Sequence, residues 1–140
     1  MSIFVQDDDL IDVKVYCRKR GHKYEAYTEK EFKEAKIKDE NREKYECLLV
    51  KMKELTWGLY NQLQEEAVSE SANGERQFNF KIYKENRLKK LIKEWDAKGK
   101  DGKVVPVNEL SISHLAPPIA ESILKSYDEI SFLGEDDEKN

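Results

Sequence analysis

The chain has 140 residues, 39% of them charged and 39% apolar, with a formal net charge of −4. That length suits one domain able to bury a core without staples. The modest negative balance gives nucleic acid no overall attraction, no apolar run approaches the roughly 18 residues of a membrane span, and two cysteines, Cys17 and Cys47, are too few for a disulfide scaffold.

The start, MSIFVQDDD, lacks the basic n-region and long apolar h-region of a signal peptide. The expected location is therefore a reducing cytoplasm. Acidic residues gather at both ends: Asp7, Asp8, Asp9 and Asp12, then Glu135, Asp136, Asp137 and Glu138.

Residues 11–27 read as a β-hairpin. Val13, Val15 and Cys17 alternate with Lys14, Tyr16 and Arg18, Gly21 lies in a polar turn, and Tyr24, Ala26 and Tyr27 form a short return strand. Thr28 and Glu31 make a capping box, which predicts a short helix burying Phe32 and Ala35. Residues 38–44 are polar and read as a connection. Over 45–55, Leu48, Val50 and Met52 alternate with Leu49, Lys51 and Lys53. This favours a strand, although the same residues could extend a helix.

Thr56 suits the N-cap of the next helix, in which Leu59, Leu63 and Ala67 recur every fourth residue. Asn73-Gly74 marks a turn. A long helix is predicted over 79–96, where Leu88, Leu91, Ile92 and Trp95 form one stripe at i, i+3, i+4, i+7. Beyond a glycine-rich loop, Val104, Val105 and Val107 read as a short extended segment. Asn108 can cap a turn carrying Leu110, Ile112 and Leu115. Pro117 and Pro118 fit the first turn of a last helix, whose buried stripe is Ala120, Ile123, Leu124 and Tyr127. The fold class is α+β: an N-terminal hairpin and short strands, then a mainly helical C-terminal half. One domain is expected over 1–133, with 134–140 as an acidic, disordered tail. Trp57, Leu63, Leu88, Leu91, Trp95, Ile123 and Leu124 are the expected core, with Tyr60 also read as core.

Little in the sequence carries catalytic chemistry. Cys17, His22, Cys47 and His114 are the only soft metal ligands, and their spacing does not make the paired sets of a zinc site. There is no nucleophile elbow, no phosphate-cradling glycine loop and no H-E-x-x-H. The expectation is a non-enzymatic protein with no cofactor and no metal. The basic run Lys81, Lys84, Arg87, Lys89, Lys90, Lys93, Lys98, Lys100 and Lys103 is interleaved with Glu85, Glu94, Asp96 and Asp101. It is read as a solvated face with local ion pairs. Ile130, Phe132 and Leu133 stand between the last helix and the acidic end, and are the candidate contacts for a partner or a sister subunit. Folding back onto the domain is the alternative.

From Leu55 onward the chain resembles tail assembly chaperones of long-tailed bacteriophages. The resemblance lies in ELTWGLYNQLQEEA after an apolar strand, a later helix ending LKKLIKEWD, then GKVVPVNE and HLAPPIAESIL, covering roughly residues 48–127. The N-terminal hairpin and the acidic C-terminal end are not part of that pattern. The resemblance implies a non-catalytic holdase that binds the long, helical tape measure protein while the tail tube polymerises, in the cytoplasm of the infected bacterium, and is absent from the finished particle. Two other readings stand beside it. One is a structural component of a phage head, neck or tail, and the other is a small nucleic-acid-binding regulatory protein using Lys81 to Lys103.

Overall fold

The structure is a computed structural model and describes residues 1–131. Its frame is a four-stranded antiparallel sheet in the order β2-β1-β3-β6, made of β1 (Leu10–Arg20), β2 (Lys23–Thr28), β3 (Glu46–Lys53) and β6 (Ile92–Trp95). The hairpin forms as the alternation predicts. A two-residue loop joins β1 to β2, and Gly21 there takes φ +63°, a conformation open to glycine at little cost. The 45–55 segment is the strand β3, paired with β1 from Leu10↔Lys53 to Cys17↔Glu46.

Alternation sorts the residues of the central strands between two faces. Val13, Val15, Leu48, Val50 and Met52 are buried on one face. There they meet α4 (Phe80–Leu91) and α6 (Pro117–Ile130), which bring Leu88, Leu91, Ile123, Leu124 and Tyr127 into one core. On the other face, Tyr16 stacks on Phe32 of α1 (Glu29–Glu34) at 4.4 Å, and Tyr27 and Tyr45 close the cluster edge-on. The Thr28–Glu31 capping box is present and sets the start of α1. Arg42, from the one-turn α2 (Asp39–Arg42), donates to the carbonyls of Phe32 and Ala35 at 2.8 Å each and so holds α1 over this face. Phe32 and Ala35 are thereby half-buried rather than part of the main core.

The predicted long helix over 79–96 is corrected. It ends at Leu91, and Ile92–Trp95 continues as β6 along the free edge of β3. Ile92 and Trp95 are three positions apart, which strict alternation would place on opposite faces. A bulge resolves this: Val50 pairs with Trp95 and Met52 with Ile92, so β6 carries one more residue than β3 does, and both apolar side chains enter the core. Trp95 then donates its indole N–H to the carbonyl of Val105 at 2.6 Å, fixing the extended segment beside it.

The remaining elements follow in order. α3 (Trp57–Glu66) is capped by Thr56, whose hydroxyl accepts from the Leu59 N–H. A small hairpin, β4 (Val68–Glu70) and β5 (Arg76–Phe78), surrounds Asn73-Gly74. α5 (Glu109–Ser113) has a full capping box between Asn108 and Ser111. Of the apolar residues it carries, Ile112 is buried and Leu110 is exposed. No helix among the described residues is long and apolar enough to cross a membrane.

Candidate functional site

Trp57 does not belong to the core. It is 76% exposed and stacks on Tyr60 with ring centroids 5.8 Å apart. Helix geometry accounts for this. At 3.6 residues per turn, Trp57 lies roughly 120° from the middle of the Leu59–Leu63–Ala67 stripe that faces inward.

A second apolar segment stands beside it. Asp9 accepts from the Glu54 N–H at 3.0 Å through its backbone carbonyl, and its carboxylate accepts from the Gln6 N–H at 2.8 Å. These bonds tie the chain ahead of β1 to the link between β3 and α3. Ile3 and Phe4, 79% and 74% exposed, are thus held alongside Trp57. With Val5 they form one wall of a groove of about 480 Å³; Leu55, Trp57, Gly58 and Tyr60 form the other. Such a contiguous exposed apolar surface on a highly charged protein is a mark of an interaction site. A smaller aromatic group lies where β5 leads into α4. Phe78 packs on Phe80 at 4.9 Å and on Tyr83 at 5.3 Å, with Phe80 largely exposed.

Ile130 is the last residue of α6 and is exposed, while Phe132 and Leu133 lie outside the described residues. Residues 134–140 also lie outside them. The groove residues that sequence reasoning missed had a signal. The run Ile3-Phe4-Val5 stands one residue before three aspartates and has no strand or helix pattern of its own.

The soft ligands are dispersed. Cys17 and Cys47 belong to opposite faces of the sheet, since Cys47 pairs with Tyr16 and Cys17 with Glu46. His22 is in the hairpin loop and His114 follows α5. Burial, with the nearby Glu46, pushes the Cys17 thiol above its ordinary range, which disfavours the thiolate. Among the described residues, no group of three or more His, Cys, Asp or Glu side chains could hold a metal ion.

Four of the nine basic residues in the run are engaged with carboxylates. Lys84 bonds Glu121, Lys89 bonds Glu85, Lys90 bonds Glu66, and the buried Arg87 bonds Asp128. Arg87 also lies over the rings of Tyr83 and Tyr127, at 5.2 and 5.7 Å. It welds α4 to α6 rather than facing a ligand.

The chain matches no protein-family model, no curated protein and no solved structure.

Proposed function

We propose that this is a non-catalytic binding protein that shelters an apolar segment of another protein in the Trp57 groove. We further propose that it serves as a bacteriophage tail assembly chaperone whose partner is the tape measure protein, in the cytoplasm of the infected host. One observation carries the proposal. Trp57, inside the ELTWGLYNQLQEEA stretch on which the resemblance rests, is 76% exposed in a groove shared with Ile3 and Phe4. Fully burying a large apolar side chain is worth about 1.5–3 kcal/mol. Three such side chains on the surface are a large unused source of contact energy. A helical partner with an apolar stripe would collect it by lying in the groove.

Co-expression with tape measure protein tests this. Tape measure protein should become soluble and co-elute with the chain, and Trp57→Ala should abolish both effects. Tape measure protein as insoluble as when expressed alone would refute the chaperone role. Recovery of the chain in stoichiometric amounts from purified particles would instead make it a structural component of the virion.

A further inference from the structure

We infer that the occupant of the Trp57 groove is an apolar segment with lysine or arginine at its flanks, whose backbone makes its closest approach at Gly58. The inference rests on the groove being a binding surface and adds the chemistry of what it takes.

The first ground is charge. The groove is lined by residues of two stretches, 3–5 and 55–60, and none of the lining residues is charged. In a chain with 25 lysines and arginines, the segments that carry this lining, residues 1–8 and 54–60, contain none, nor a histidine; they contain three carboxylates, Asp7, Asp8 and Glu54. Asp7, Asp8 and Glu54 are exposed. Lys53, the nearest basic residue in sequence, follows the buried Met52 in β3 and so belongs to the opposite face of the sheet. The start of α3 contributes a positive dipole worth about half a charge. That is outweighed by the three exposed carboxylates. The lining is therefore apolar, the nearest charged side chains in sequence to each of its two stretches are carboxylates, and a complementary partner is apolar in the middle and positive at its ends.

The second ground is Gly58. Gly58 is the second residue of α3, and glycine in a helix is less favourable than alanine, by up to about 1 kcal/mol in the interior and by less in the first turn. Its usual reasons for being in a helix do not apply here. Gly58 has no positive φ, and a Cβ built on it would meet nothing within 4 Å. Nothing within the fold calls for glycine at this position. It lines the groove between Trp57 and Leu59, where a missing side chain leaves bare backbone open to a close neighbour.

The test uses the intact chain and two synthetic amphipathic helical peptides with the same Leu/Phe stripe, one flanked by lysines and the other by glutamates. The Trp57 emission shift reports binding. The lysine-flanked peptide should bind at least tenfold tighter at low salt, a difference of about 1.4 kcal/mol. The gap should narrow as salt shortens the Debye length to about 8 Å. Replacing Asp7, Asp8 and Glu54 together by their amides should bring the two affinities together. Gly58→Gln should weaken the lysine-flanked peptide at least tenfold, and Gly58→Ala should do so less, with circular dichroism confirming that each variant is folded. Equal affinities, or preference for the glutamate-flanked peptide, would overturn the inference while the groove could still retain tape measure protein. Binding of neither peptide would overturn it too, and Trp57-dependent retention of tape measure protein then decides whether the groove reading falls with it. A Trp57 shift on concentrating the protein alone, with sedimentation of a dimer, would name a second copy as the occupant and overturn the inference.

Discussion

Tyr127 donates its hydroxyl to the backbone carbonyl of Lys53, 2.8 Å away. The bond joins the last turn of α6 to the last residue of β3, two positions before Leu55 in the groove wall. A buried phenol of the core thus holds the strand end that leads into the candidate site, where Leu55 itself joins the core.

Removing that hydroxyl separates the bond from the packing. Tyr127→Phe keeps the ring and should destabilise the fold by about 1 kcal/mol. Urea denaturation reads this as a lower midpoint with an unchanged slope.

The same phenol makes the fold sensitive to alkali. Burial, supported by Glu54 and Asp128 and opposed by Arg87, pushes Tyr127 from its ordinary 10.0 up to about 12. Tyr45 rises likewise to about 12, through burial and its hydrogen bond to Glu25. Both groups lose protons more readily in the unfolded chain. Their contribution is complete below pH 10 and is lost as pH rises toward about 12. Stability measured across that interval should fall, and the fall should be shallower in Tyr127→Phe.

Glu25 sets the opposite limit. Hydrogen bonds from Tyr45 and Arg18 hold its carboxyl below the ordinary 4.5. A depressed folded value means that stability is present above pH 4.5 and is lost as pH drops through the folded value. Glu25→Gln should flatten the acid limb of the stability profile.

Leu91 is fully buried at the end of α4. Leu91→Ala should cost about 2–5 kcal/mol, as large-to-small core changes do. Trp57→Ala should change stability by less than about 0.5 kcal/mol, since an exposed side chain with few internal contacts leaves no cavity. The two variants compared by thermal melting separate core from surface in one experiment.

Much of this architecture was legible in the sequence. The β1–β2 hairpin, the strand character of β3, the caps at Thr28, Thr56 and Asn108, and the Pro117-Pro118 start of α6 all follow from local signals. These elements agree with their own periodicity, so tertiary context had nothing to override. Ile92 and Trp95 misled because a helical stripe and a bulged strand bury the same residues. What decides between them is the open edge of β3, which is not a local property. Trp57 misled by residue type: large aromatics usually seal a core, yet its angle around α3 already pointed outward. The groove itself needs residues 1–5 and 54–60 side by side, and the bonds that bring them together run through the backbone of Glu54 and both the carbonyl and the carboxylate of Asp9.

Iodide quenching of tryptophan fluorescence, with and without tape measure protein, tests the central claim most directly. The chain has two tryptophans. Trp95 is buried and Trp57 lies open in the groove, so the free protein should show one quenchable and one protected component. When tape measure protein is added, the quenchable component should become protected. A complex that forms while Trp57 remains as open to iodide as before would contradict the account and move the binding surface elsewhere on the molecule.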